Sequence, residues 1–126
     1  MTNVLFVCIG NQGRSVMAER LFRAAGTDDE ARSAGAAPGR ATHPEVLEAL
    51  AEIGIDASDH VPQKLNDDLL DWADVVVATC DGACPVTPGK QRFDWHVRDP
   101  MGQPPEEVRA IRDEIDARVG SLLSAI

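Results

Sequence analysis

The chain has 126 residues and no tyrosine, and aromatic residues make up only 4% of it. A rim of phenol rings around any site is thereby excluded. No apolar run approaches the ~18 residues that a membrane-spanning helix needs. The N-terminus has neither a basic stretch nor a long apolar one, so no secretory signal is expected and the cytoplasm is the expected compartment. Lys and Arg form no cluster, and the formal net charge is −9. That balance argues against nucleic acid and against an anionic membrane as partners. A site for an anion would have to work through local groups, against the field of the whole chain. No repeat, linker or low-complexity run divides the sequence. Residues 1–126 therefore read as one domain, expected to be a monomer, with 44% hydrophobic content to build its core.

The most informative stretch is Val4-Leu5-Phe6-Val7-Cys8-Ile9-Gly10-Asn11-Gln12-Gly13-Arg14-Ser15. Apolar residues run into Cys8, and a helical pattern follows from Val16. The order is strand, loop, helix, and the loop spells Cys-x5-Arg-Ser. A loop feeding a helix N-terminus aims backbone N–H groups at one point, and the helix dipole adds partial positive charge there. Gly10 and Gly13 permit a backbone that a Cβ would hinder. Arg14 can grip two oxygens of a tetrahedral anion through its planar fork. The same field favours Cys8 as a thiolate, and Ser15 can donate to its sulfur. A bound oxyanion would sit directly over a nucleophile. The bland alternative is a buried strand-end Cys followed by an ordinary surface Arg, and the structural context of the loop is what counts against it.

Strand and helix patterns alternate along the rest of the chain. The spacing predicts strands over 3–8, 30–34, 75–79 and 91–95. Helix 1 is predicted over 14–25, with Met17, Leu21 and Ala24 on its core face and Gly26 at its end. Thr42-His43-Pro44-Glu45 reads as a capping box opening helix 2. Val46, Leu47, Leu50 and Ile53 then recur at helical spacing up to Gly54. Asn66 is expected to cap a short helix that ends near Trp72, with Leu65 stapled onto Leu70. The last helix is predicted over 104–124, with Val108, Ile111, Ile115, Val119 and Leu122 as its stripe. Trp72 and Trp95 read as packing residues. Unbroken apolar strands alternating with helices predict an α/β fold, a doubly wound parallel sheet with helices on both faces. Ligands in such sheets bind beyond the carboxyl ends of the strands. Cys8, Cys80 and Asp99 all follow strand ends, which places them on one edge.

Thr79-Cys80-Asp81-Gly82-Ala83-Cys84-Pro85 carries the other two cysteines. Three readings compete for them, of which a metal site would need further ligands, since His43, His60 and His96 are scattered. Two inert, packed thiols are the second reading. A redox pair is the third, with Gly82 giving the chain freedom to bring the sulfurs together.

Residues 8–15 resemble the phosphate-binding loop of low-molecular-weight protein tyrosine phosphatases and of the arsenate reductases that share their fold. Arg14-Ser15-Val16-Met17-Ala18-Glu19 is closer to the reductases. The resemblance extends through Ser33-Ala34-Gly35, Glu52-Ile53-Gly54-Ile55-Asp56, Ala73-Asp74-Val75-Val76-Val77 and Asp99-Pro100. It implies four parallel strands in the order 2-1-3-4. It also implies reduction of arsenate to arsenite in the cytoplasm, with phosphate or sulfate as competing anions. Cys8 would attack arsenate, held by residues Cys8, Ile9, Gly10, Asn11, Gln12, Gly13, Arg14 and Ser15. Asp99 would be the general acid, or else only a turn-forming Asp-Pro residue. Cys80 would then attack the Cys8 sulfur and Cys84 would attack Cys80, with an external thiol regenerating the pair. Thioredoxin is the expected donor, and mycothiol is the donor of a related branch. No tightly bound cofactor is expected. Asn11, Glu19 and Ser33 match positions that hold a potassium ion in some such reductases. Met101-Gly102 stands where the phosphatases carry aromatics, which favours a small inorganic substrate. The alternatives left open are a phosphatase of the same fold and a non-enzymatic module that senses anions or redox state.

Overall fold

The structure is a computed structural model, and it describes residues 1–79 and 91–126. The elements are β1 (Asn3–Cys8), α1 (Arg14–Ala24), β2 (Glu30–Gly35), α2 (Pro44–Ala51), α3 (Asp67–Trp72), β3 (Val75–Ala78), β4 (Gln91–Asp94) and α4 (Pro105–Ala125). The strands form one sheet in the order β2-β1-β3-β4, and every pairing is parallel. The expected order is therefore the observed one.

Both faces of β1 and β3 are covered, which is why their sequences do not alternate with polar residues. Val4, Phe6, Val75 and Val77 share one buried cluster with residues of α1, α2 and α4. Leu5, Val7 and Val76 point the other way, onto Leu69 of α3. Phe6 anchors the larger side, with its ring 5.8 Å from both Phe22 and Trp95. Burying a side chain of that size contributes about 2–3 kcal/mol. The stripe predicted on α4 is buried throughout. Trp72 lies under the Arg32 guanidinium, 4.3 Å from carbon to ring centre. No helix among the described residues is long and apolar enough to cross a membrane.

Three local readings are corrected. Ala24 is exposed, because the core face of α1 is carried by Val16, Met17, Ala18, Leu21 and Phe22. Ile53 is 46% exposed, because α2 stops at Ala51 and the chain turns away before it. The capping box is absent. His43, not Thr42, is the N-cap of α2, and no side chain caps it. The hydroxyl of Thr42 is buried without a partner. At α3 the expected cap is present, with Leu69 N donating to Asn66 Oδ1 at 2.9 Å.

Candidate active site

The site is organised by where five carbonyls go. Ala36 N donates to Cys8 O at 3.1 Å, Ala37 N to Ile9 O at 2.9 Å, Gly39 N to Gly10 O at 3.0 Å and His43 N to Gln12 O at 3.0 Å. His60 Nε2 completes the set on Asn11 O at 3.1 Å. A trans peptide sets each N–H opposite the preceding carbonyl. Tying these carbonyls outward therefore turns the N–H groups of residues 9–13 toward the centre of the loop. One is already engaged there: Asn11 N donates to Cys8 Sγ at 3.1 Å. α1 adds the unpaired N–H groups of its first turn, and that turn contains no acidic residue.

Cys8 is 3% exposed. Its sulfur lies 2.8 Å from Ser15 Oγ, and Asn11 Nδ2 donates to that same hydroxyl at 2.8 Å. Asn11 takes the left-handed conformation, φ 53°, which asparagine tolerates better than most residues. Its side-chain oxygen accepts from Gln63 N at 3.0 Å. Every polar group of Asn11 is thus engaged, two with the nucleophile's shell and two with the segment 60–63. Gly35, at the end of β2, lets the loop lie flat against the sheet. A Cβ there would stand 2.5 Å from Ile9 O and 2.9 Å from Asn11 N.

Arg14 and Asp99 close the mouth. Arg14 Nη1 donates to Val97 O at 3.0 Å, and Nη2 lies 4.0 Å from Asp99 Oδ2. Asp99 is half exposed. Its Oδ1 accepts from Met101 N at 3.0 Å, so it serves a turn with one oxygen and presents the other to Arg14. A cavity of about 240 Å³ opens among Cys8, Gly10, Gly13, Arg14, His43 and Asp99. An oxyanion seated there would meet inward amides, one guanidinium, a buried sulfur and a carboxyl. The site residues that sequence reasoning missed are His43, His60, Gln63 and, in its role, Gly35. All lie far along the chain from the loop they support. Burial holds His60 below the usual imidazole value, against the pull of Asn11 O and of Glu19.

Glu19 and Ser33 come together, with Ser33 Oγ donating to Glu19 Oε1 at 3.1 Å. Gln63 joins them to Asn11, donating from Nε2 to Ser33 O at 2.9 Å. The Glu19 carboxylate is already paired, however, with Arg20 Nε at 3.1 Å and Arg23 Nη2 at 3.6 Å. Two guanidinium groups take the charge that a potassium ion would need, and Asn11 Oδ1 is already an acceptor. A potassium ion at Asn11, Glu19 and Ser33 would have to share the carboxylate with these two groups. Among the described residues no group of three or more His, Cys, Asp or Glu could hold a metal ion. Cys80 and Cys84 lie outside the described residues. Thr79 N donates to Val7 O at 2.8 Å, so the chain leaves β3 beside Cys8.

Fold and loop together define a class of protein, one with a strand-end cysteine beneath a backbone cradle for a tetrahedral oxyanion. The chain belongs to the low molecular weight phosphotyrosine protein phosphatase family, which its residues 3–126 match. Within that family it is similar to proteins named as arsenate reductases. Arsenate reductase 2 of Staphylococcus haemolyticus is 33% identical over 122 residues, covering 94% of this chain and 93% of the relative. A solved structure titled as an arsenate reductase in the phosphate-binding state superposes with a TM-score of 0.91 at 31% identity, covering 100% of this chain and 99% of the other. A thioredoxin-dependent arsenate reductase of Corynebacterium glutamicum gives 0.83 at 38% identity over 99% of this chain. The present chain spans 61% of that longer protein.

Proposed function

We propose that the protein reduces arsenate to arsenite, with Cys8 as nucleophile. The observation that carries this reading is the sulfur of Cys8, held by Ser15 and by the Asn11 N–H under a cradle of inward amides, with Arg14 and Asp99 above it. The relatives named as arsenate reductases support arsenate as the oxyanion. Cys8 attacks arsenic, a sulfur–arsenic bond forms, and one oxygen leaves as water with a proton from Asp99. Arg14 and the loop amides hold the charge on the remaining oxygens. Cys80 then attacks the Cys8 sulfur. A disulfide forms, the electron pair of the sulfur–arsenic bond passes to arsenic, and arsenite departs. Cys84 attacks Cys80 and frees Cys8. An external thiol reduces the Cys80–Cys84 disulfide. The name of the Corynebacterium relative supports thioredoxin as that donor. Mycothiol is the second candidate. The position of Thr79 beside Val7 supports the reach of Cys80 toward Cys8.

The rival reading is phosphomonoester hydrolysis by Cys8, Arg14 and Asp99, and it draws on the description of the family. Among the described residues lining the cavity no phenyl or indole ring is present to grip an aryl ester. The deciding experiment is a single turnover of arsenate with no external reductant, followed by disulfide mapping. Cys80→Ser stalls before arsenite is released. Cys84→Ser yields one equivalent and accumulates a Cys8–Cys80 disulfide. Normal turnover of both variants with mycothiol would remove the cascade. Brisk aryl phosphate hydrolysis without arsenite from any donor would establish the phosphatase.

A further inference from the structure

The N-terminus of α2 departs from a local rule. Helix N-caps favour Ser, Thr, Asp or Asn, whose side chains bond the first free N–H groups. His43 holds this position at φ −61° and ψ 133°, and its side chain makes no capping bond. Its ring instead lines the oxyanion cavity with Cys8, Arg14 and Asp99. The side chain is 19% exposed, and Nδ1 faces Oε1 of Glu45 at 3.9 Å. Cδ2 lies 3.6 Å from where a Cβ on Gly13 would stand, and Gly13 is the N-cap of α1. Nε2 is therefore on the ring edge away from Glu45, beside the start of α1. Local stability is given up where a side chain has other work.

We propose that His43 is an anion-binding residue of this cavity, which selects protonatable oxyanions over sulfate. The proposal deepens the arsenate reading and rests on it. A neutral ring that keeps its proton on Nδ1, the edge facing Glu45, offers only a lone pair at Nε2. Arsenate and phosphate can donate an O–H to that lone pair. Sulfate has no proton to give and meets lone pair against lone pair. Once protonated, the ring donates from Nε2 to any of the three anions. The other charged groups facing this space are Glu45 on α2, Cys8 on β1, Arg14 on α1 and Asp99 between β4 and α4. Sulfate binding thus takes up a proton at His43 and weakens as that proton leaves. Phosphate binding is protected by its own proton.

The test is calorimetric titration of sulfate and phosphate from about pH 5.5 to about pH 8.5, a span in which histidine side chains in general change charge. Wild type, His43→Asn and Glu45→Gln are compared. Solution chemistry of the anions and the rest of the cavity are common to all three, so their differences report the pair. In wild type the preference for phosphate over sulfate rises with pH, by up to about tenfold per pH unit. In His43→Asn that rise is lost and sulfate binds more weakly at the acid end. The same variant melts about 3 °C higher, because asparagine caps the helix. Glu45→Gln moves the transition to lower pH. An unchanged rise in His43→Asn overturns the proposal. Arsenite release is assayed separately. The histidine signature without arsenite would sink the arsenate reading and keep this one, and arsenite without the signature would do the reverse.

Discussion

The hydroxyl of Ser15 stands 2.8 Å from the sulfur of Cys8, and both side chains are buried. Asn11 Nδ2 donates into that hydroxyl at 2.8 Å. The hydroxyl proton is left free, so Ser15 can donate it to a Cys8 thiolate. Ser15→Ala removes a hydrogen bond to the nucleophile worth about 1.5 kcal/mol. Arsenate reduction should fall about tenfold while the fold is kept. Cys8→Ser should abolish the reaction, because a hydroxyl is a far weaker nucleophile at neutral pH. Arsenite release in the steady state measures both. Undiminished turnover in Cys8→Ser would remove the residue from the chemistry.

Arg14 divides its fork between the Val97 carbonyl and the cavity. Lysine keeps the charge but cannot make both contacts from one point. Arg14→Lys should lose at least about a hundredfold in kcat/KM for arsenate. A loss below about threefold, less than 1 kcal/mol, would show that Arg14 does not hold the transferring oxyanion.

Gly35→Ala tests the bed on which the loop lies. The atoms that a Cβ would strike are Ile9 O and Asn11 N, both backbone, so neither can swing aside. The loop must shift by several tenths of an ångström. Stability should drop by about 1–3 kcal/mol, with activity falling more than about tenfold because reacting groups tolerate little displacement. Thermal melts beside arsenite assays separate the two effects. A variant that melts early yet turns over normally would show that the cradle does not depend on this contact.

The frame of the site was legible because its signals are local. A strand running into Cys8, two loop glycines, and Arg14 opening a helix all lie within one short stretch, and the parallel topology follows from apolar strands alternating with helices. The braces were not legible. His60 and Gln63 reach Asn11 across about fifty positions of chain, and nothing around them in sequence marks that contact. His43 was misplaced for a related reason. Thr42 and Glu45 have the spacing of a capping box, but the demand of Gln12 O for the His43 N–H fixes where the helix begins. Ile53 continued the apolar period of α2 by one step after the backbone had already turned.

His60 gives a pH dependence with a definite sign. The unfolded chain takes up a proton at the ordinary value of 6.5, and the folded chain does so only at a lower pH because burial disfavours the charged ring. The neutral ring's contribution is complete above that ordinary value. It is lost as the pH falls from there through the folded value. Urea midpoints should therefore drop more between about pH 7.5 and about pH 5.5 in wild type than in His60→Gln, which cannot titrate. Parallel curves would mean that His60 binds its proton equally in both states.

The cradle of inward amides and one guanidinium attracts only at contact, whereas the whole molecule carries −9. At physiological ionic strength charges are felt over about 8 Å. An approaching oxyanion therefore meets repulsion first and the amides last. Added salt should act on arrival rather than on residence. It shortens the reach of the repulsive field and quickens capture, while the grip of hydrogen bonds already made changes little. Dilute buffer is then the poorer medium for this protein, the reverse of what holds for proteins that draw their charged ligands in from a distance.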